Sequence, residues 1–179
     1  MAVFADSSAL VKLYADERDH QLIRDLDCLV VATMVRVEVP GAIWRKMRTG
    51  ELAAADAAVL VGAFEADYHG SPEHRPRFGA VAATADVLDT AARLVGVHDL
   101  HPADALQLAS AKAAAQAVPD CRTLASFSTD LRSAAAAEGF TLVPTRAEPR
   151  TVRKRPARWP RSWPRLWPLN RVLDAERGN

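Results

Sequence analysis

The sequence contains few of the features that mark secreted, zinc-binding or membrane proteins. Only two of its 179 residues are cysteines, Cys28 and Cys121, which is too few for a disulfide framework or a zinc site. No apolar run approaches the roughly 20 residues needed to cross a bilayer, and the N-terminus lacks the basic region of a signal peptide. We therefore predict a soluble cytoplasmic protein with two buried thiols and no membrane partner.

Hydrophobic residues and an uneven distribution of charge are present instead. Hydrophobic side chains make up 49% of the chain, enough to build the core of one domain with an appendage. Residues 1–144 carry 13 Lys and Arg against 19 Asp and Glu, whereas residues 145–179 carry 10 against 3. This asymmetry predicts an acidic folded domain, 1–144, and a basic tail, 145–179, with different partners.

Short apolar segments alternate with amphipathic ones along residues 1–144. Strands are predicted at 2–5, 29–32, 78–83, 121–127 and 140–143. Between them, helices are predicted at 7–14, 20–26, 34–49, 51–68 and 85–94. A sixth helix is predicted to start at 102, and a seventh, capped by Ser128 or Thr129, is predicted to end at 137. Thr33 is the predicted cap of the third helix, Pro40 predicts a kink or a late start in it, and Gly96 is predicted to close the fifth. This alternation predicts an α/β fold with a mainly parallel central sheet flanked by helices.

Four acidic residues each lie where a predicted strand or helix begins or ends: Asp6, Glu38, Asp104 and Asp130. Open parallel sheets bind their ligands at the carboxyl ends of the strands, so these carboxylates can converge on one pocket. Such a cluster is costly unless a cation neutralises it. One acid before a helix is more often a helix cap, and the prediction therefore depends on all four together.

The segments that contain these acids resemble a known family. Residues 4–12 (Phe-Ala-Asp-Ser-Ser-Ala-Leu-Val-Lys), 35–39 around Glu38, 103–105 (Ala-Asp-Ala) and 124–127 (Leu-Ala-Ser-Phe) resemble the PIN-domain ribonucleases. More narrowly, they resemble VapC toxins of bacterial toxin–antitoxin pairs. The resemblance covers residues 2–144 in order and spacing.

The resemblance implies a three-layer PIN-like fold and a Mg²⁺- or Mn²⁺-dependent endoribonuclease. In this interpretation Asp6, Glu38 and Asp104 hold the metal, Asp130 completes the catalytic acids, and Ser8 orients Asp6. Carboxylate oxygens are the ligands that these hard cations prefer. The metal would activate a water that cleaves RNA, with tRNA as one candidate substrate.

One position departs from the family pattern. Where the family usually has an aspartate directly after the phenylalanine, this chain has Ser128, and Asp130 follows two residues later. Two interpretations remain open. Either Asp130 reaches the site from the first turn of the next helix, or a water held by Ser128 replaces the fourth carboxylate. The departure weakens the case for two metal ions, whereas Asp6, Glu38 and Asp104 still suffice for one.

The implied partners are a cognate VapB-type antitoxin, an RNA substrate and a second copy of the chain in a homodimer. Two other functions remain open. The first is a catalytically degenerate PIN-like module that binds RNA or protein, which Ser128 favours. The second is a phosphohydrolase or phospho-acceptor domain with Asp6 as nucleophile. That function needs a second acid beside Asp6 and a well-placed lysine, and Lys12 lies a helical turn or more beyond.

The tail repeats a Trp-Pro-Arg unit at a spacing of four within residues 159–168. Prolines at this density remove backbone donors and prevent helix formation, so we predict an extended or disordered segment. Alternating arginine and tryptophan suits phosphate contacts and base stacking in RNA. The alternative is a disordered extension with no role in RNA binding.

Overall fold

The predicted parallel α/β sheet is present in the computed structural model, which describes residues 1–145. Five strands pair in parallel in the order β3-β2-β1-β4-β5. They are β1 (Val3–Ala5), β2 (Leu29–Ala32), β3 (Phe78–Val81), β4 (Thr123–Ala125) and β5 (Thr141–Val143). The predicted basic tail lies outside the described residues from position 146 onward.

Seven helices occur in the described part of the chain. They are α1 (Ser7–Tyr14), α2 (His20–Arg24), α3 (Val35–Arg48), α4 (Ala54–His69), α5 (Ala85–His98), α6 (Pro102–Ala117) and α7 (Thr129–Ala137). Within residues 1–145, none of them combines the length and apolar character of a bilayer span.

Two predicted helix boundaries are wrong. A late start of α3 at Pro40 is wrong, because Pro40 lies inside the helix, which starts at Val35 with Met34 rather than Thr33 at its cap. The alternative of a kink at Pro40 stays a prediction. Helix α5 continues past Gly96 to His98. In α3 the buried side chains of Val35, Val39 and Ile43 continue the helical spacing on both sides of the proline, whereas Val97, which follows Gly96 in α5, is exposed.

The core has two parts, one on each face of the sheet, and β1 supplies both. Side chains alternate across a strand, so Val3 and Ala5 pack into one part and Phe4 into the other. Phe4 is fully buried, and burial of a phenylalanine side chain stabilises a fold by roughly 1.5–3 kcal/mol relative to exposure. Helices α1, α3 and α4 cover the first face, and α5, α6 and α7 cover the second.

The prediction of two buried thiols is correct for Cys121 and wrong for Cys28, which is exposed. Cys28 directly precedes β2. Its apolar neighbours belong to the strand, whereas Cys28 itself lies in the preceding loop. An apolar run on one side only was therefore too little to predict burial.

The strand order places a switch point beside β1. The chain builds the sheet outward from β1 through β2 to β3, and then returns to add β4 on the opposite side of β1. Connections that leave adjacent strands in opposite directions open a crevice at their carboxyl ends. Asp6 follows β1 and Ser126 follows β4, so both residues lie at this crevice.

Candidate active site

Asp6 is buried at the switch point and caps α1. Its side chain is 2% exposed, and its Oδ1 accepts a hydrogen bond from the Ala9 amide at 2.9 Å. The hydroxyls of Ser8 and Ser126 donate to Oδ1 and Oδ2, each at 2.7 Å. Burial raises the pKa of Asp6 to about 6 against the lowering effect of these hydrogen bonds, and the charge of Asp104 adds to the rise.

Glu38 lies in the first turn of α3 and is partly buried. Its Oε2 accepts a hydrogen bond of 2.6 Å from Nε2 of Gln107 on α6. Burial raises the pKa of Glu38, hydrogen bonds from Gln107 and Ser7 oppose this rise, and the charge of Asp104 adds to it. Asp104 therefore acts electrostatically on both Asp6 and Glu38, and the assignment of all three acids to one metal site stays a prediction.

Asp104 occupies the first turn of α6, as predicted, with Pro102 at the start of that helix. Ser128 donates from Oγ to Asp104 Oδ2 at 3.2 Å. The same hydroxyl caps α7 by accepting from the Leu131 amide. The serine that stands where the family has an acid thus contacts a site carboxylate.

Asp130 differs from the other three acids. It is exposed in the first turn of α7, and no hydrogen bond described within residues 1–145 joins it to Asp6 or Glu38. Its role in the site stays a prediction. The Ser8 hydroxyl does contact Asp6 as the resemblance implies, and its role in a reaction also stays a prediction.

The three carboxylates match a hard divalent cation by chemistry and charge. Their donors are all oxygen, the ligand type preferred by Mg²⁺ and Mn²⁺. Burial chiefly, and the charge of Asp104 in addition, raise the pKa of Asp6 and of Glu38, so a nearby cation would favour their charged forms. Within the described residues, however, no three His, Cys, Asp or Glu side chains are grouped closely enough to hold a metal. The oxygens fit the cation but are not preassembled around it.

Two residues of the site were not predicted. Ser126 is fully buried and was included in the predicted strand 121–127, which ends at Ala125. The signal was available, because Ser126 follows β4 as Asp6 follows β1. Gln107 lies three residues after Asp104, a spacing that places both on one helix face, and it is a buried polar residue in an Ala- and Leu-rich helix.

Arg132 lies buried behind Ser126 and is 6% exposed. Its Nη1 donates to the Ser126 carbonyl at 2.9 Å, and its Nη2 donates to the Pro144 carbonyl at 2.6 Å. These carbonyls directly follow the ends of β4 and β5. One side chain of α7 therefore holds both segments beside the site.

Lys12 does not support a phospho-acceptor function for Asp6. Its ammonium group donates to Glu17 Oε2 at 2.9 Å and to the Arg18 carbonyl at 2.8 Å. It also lies 4.1 Å from the centre of the Phe127 ring. The lysine that this function would require is thus held by other contacts.

The fold resembles those of solved toxins. No family model and no curated protein matches the sequence. The crystal structure of Mycobacterium tuberculosis VapC20, a sarcin-ricin loop cleaving toxin, has a TM-score of 0.53 and 16% identity, covering 77% of this chain and 95% of that one. A toxin–antitoxin complex from Klebsiella pneumoniae has a TM-score of 0.52 and 17% identity. The match covers 83% of this chain and 100% of that one. FitAcB from Neisseria gonorrhoeae has a TM-score of 0.49 and 16% identity. The match covers 75% of this chain and 93% of that one. The likenesses to VapC20 and to the Klebsiella complex therefore show a PIN-like fold of the kind found in VapC-type toxins.

Proposed function

We propose that this protein is a Mg²⁺- or Mn²⁺-dependent endoribonuclease and the toxin of a type II toxin–antitoxin pair. The observation that carries the proposal is the buried Asp6 carboxylate at the switch point of the sheet, where the charge of Asp104 acts on both Asp6 and Glu38. One solved structure of similar fold, VapC20, is described as a sarcin-ricin loop cleaving toxin. A fold alone does not determine a function, so the acidic site carries more weight than the likeness.

The three acids would hold the cation, which when bound supplies an activated water and neutralises charge on the scissile phosphate. The protein's own groups would keep the acids in place. Ser8 and Ser126 fix both oxygens of the Asp6 carboxylate, and Ser128 donates to Asp104. With a serine at position 128, the site offers three carboxylates, and we propose one bound ion.

The proposed protein partner is a cognate antitoxin, since one solved structure of similar fold is a toxin–antitoxin complex. A basic antitoxin segment suits the acidic excess of residues 1–144. A groove of about 720 Å³ beside α1 and α4 is lined by two basic residues and four acids, the acids being Asp16, Glu17, Glu51 and Asp56. We further propose a homodimer, which light scattering of the purified protein will test.

A catalytically degenerate PIN-like module is the second candidate. Ser128 in place of an acid and the exposed position of Asp130 favour it. A module of this kind would bind RNA or protein without cleaving RNA.

The decisive experiment compares the wild type with Asp6→Asn and Asp104→Asn. Each protein is expressed from an inducible promoter, and cellular RNA ends are mapped. We expect growth arrest and discrete new RNA ends with the wild type. Cleavage by purified protein with Mn²⁺ should fall by on the order of 100-fold or more in each variant, the range typical of groups that stabilise transition-state charge.

Asp89→Asn is the matched control, because Asp89 is an exposed acid on α5, away from the site. It should cleave RNA as the wild type does. RNA binding without cleavage by all four proteins would contradict the nuclease function and favour the degenerate module.

A further inference from the structure

The Gln107 side chain is buried in α6 with only half of its amide paired. It is 2% exposed, and its Nε2 donates to Glu38 Oε2 at 2.6 Å. Its Oε1 has no hydrogen-bond partner. Among the described residues, it is the only buried side-chain nitrogen or oxygen that lacks one.

The orientation of this amide follows from chemistry. Turning the amide around would place its oxygen against the Glu38 carboxylate, where neither group offers a proton. The nitrogen must therefore face Glu38, and the oxygen is left over. A buried carbonyl without a donor destabilises the protein and commonly marks the place of a water or an ion.

An apolar residue at position 107 would suit the packing of α6 better. Most of its buried neighbours on that helix are apolar, namely Ala105, Leu108, Ala109 and Ala111, with Ser110 as the polar exception. The amide replaces such packing with a single hydrogen bond to a half-buried carboxylate. The amide adds a hydrogen bond that fixes the position of Glu38, which lies 69 residues earlier in the sequence.

We propose that Gln107 is a positioning residue that holds Glu38 for the divalent cation. The amide suits this task because it donates to Glu38 without adding a fourth negative charge. This inference rests on the proposed function, since it concerns the same cation.

The test is Gln107→Met, which keeps the length of the side chain and removes both amide groups. Mn²⁺ affinity is measured by isothermal titration calorimetry, and stability by urea denaturation without metal. We expect Mn²⁺ to bind about 10-fold more weakly, within the range found when groups that orient metal ligands are lost. The urea midpoint should stay the same or rise, because a buried unpaired oxygen has been removed.

Ser110→Ala is the matched control. Ser110 is a buried polar residue one turn further along α6, and its hydroxyl donates only to the Leu106 carbonyl of the same helix. It should leave Mn²⁺ affinity unchanged. A lower urea midpoint with unchanged Mn²⁺ affinity in Gln107→Met would show a merely structural role and overturn the proposal.

A double-mutant cycle with Glu38→Gln separates this inference from the proposed function. If Gln107 acts through Glu38, Gln107→Met should have little further effect on Mn²⁺ affinity in the Glu38→Gln background. Additive losses would overturn the positioning role while leaving the metal site intact. Unchanged Mn²⁺ affinity in Glu38→Gln alone would instead contradict Glu38 as a ligand in the proposed function.

If Gln107→Met does not fold, Gln107→Asn takes its place. This variant keeps the amide but moves it away from Glu38 by one methylene. Full Mn²⁺ affinity in Gln107→Asn would contradict the proposal.

Discussion

The Asp6 carboxylate lies in an environment that favours its neutral form, although its proposed role requires the charged form. Burial outweighs three hydrogen bonds and raises its pKa to about 6, and the neighbouring Asp104 charge acts in the same direction. A nearby cation would lower this pKa. Ionisation of Asp6 and binding of a cation should therefore be coupled.

This environment predicts a pH-dependent cost to stability in the metal-free protein. The folded state binds the Asp6 proton more tightly than the unfolded chain, whose aspartate has the ordinary pKa of 3.8. Asp6 should therefore lower the free energy of unfolding progressively as pH rises from about 4 to about 6. The pKa of Asp6 differs by about two units between the folded and the unfolded state, which corresponds to about 3 kcal/mol of unfolding free energy. Urea denaturation of Asp6→Asn beside the wild type should show the variant gaining relative stability across this interval.

Comparison with the variant is needed because other acids act in the opposite direction. Hydrogen bonds from Lys112 and His98 lower the pKa of Glu138, so its stabilisation is lost as pH falls. Saturating Mn²⁺ should remove most of the difference between Asp6→Asn and the wild type. A difference that does not change with pH would show that Asp6 is not shifted as described.

At the scale of elements, α7 determines how the carboxyl edge of the sheet is held. Ser128 caps this helix and contacts Asp104, and Arg132 one turn later binds the Ser126 and Pro144 carbonyls. The helix therefore links the end of β4 to that of β5. Because Ser126 donates to Asp6, this link extends to the site.

Replacing Arg132 with methionine should destabilise the fold. The Ser126 and Pro144 carbonyls would lose their donors, and unpaired groups of this kind cost about 1–3 kcal/mol each. We expect a loss of about 2–3 kcal/mol, since the carbonyls can partly recover hydrogen bonds to water. Urea denaturation measures it, with exposed Arg122→Met as the control. A loss of less than about 0.5 kcal/mol, the range of an ordinary surface change, would contradict this role.

The sequence predicted most elements and failed where packing opposed a local signal. Proline inside a helix costs about 3 kcal/mol, which predicted a kink or a late start of α3 at Pro40. The buried side chains of Val35, Val39 and Ile43 each return roughly 1.5–3 kcal/mol, so the helix continues. Gly96 costs only about 1 kcal/mol, and α5 passes through it.

The candidate site was predictable only in part, for a related reason. Asp6 and Asp104 follow local signals, a strand end and a first helical turn. Gln107 and Ser126 matter through contacts that span 69 and 120 residues. Such pairings follow from the strand order and from packing between helices, which a single sequence does not reveal.

At the scale of the whole molecule, the charge is divided along the chain. Residues 1–144 have a net charge of −6 and residues 145–179 a net charge of +7. An acidic domain repels RNA at long range, whereas a basic segment attracts it. The sequence leaves open whether the basic tail binds RNA or is an extension with no role in RNA binding, and deleting the tail distinguishes the two.

Deleting residues 150–179 should weaken RNA binding and flatten its dependence on salt. The deletion removes nine of the ten Lys and Arg residues that follow position 144. Each lost phosphate contact should reduce the slope of log affinity against log salt by about 0.7 for single-stranded RNA. Fluorescence anisotropy at several salt concentrations measures both quantities.

A companion variant with Trp159, Trp163 and Trp167 changed to alanine separates stacking from charge. It should keep the salt slope and lose about 1–3 kcal/mol for each base that no longer stacks. Unchanged affinity and slope after the deletion would rule out a role of the tail in RNA binding.

The hydrogen bond between Ser126 and Asp6 joins positions 120 residues apart, and this has a consequence for synthesis. A nascent chain emerging from the ribosome carries Asp6 from the start, but it lacks β4 and Ser126 until most of the protein has been made. Under the proposed function, the hydrogen bonds to Asp6 would be complete only after β4 has been synthesised. A proposed antitoxin already present in the cell would then meet each new chain as its site forms.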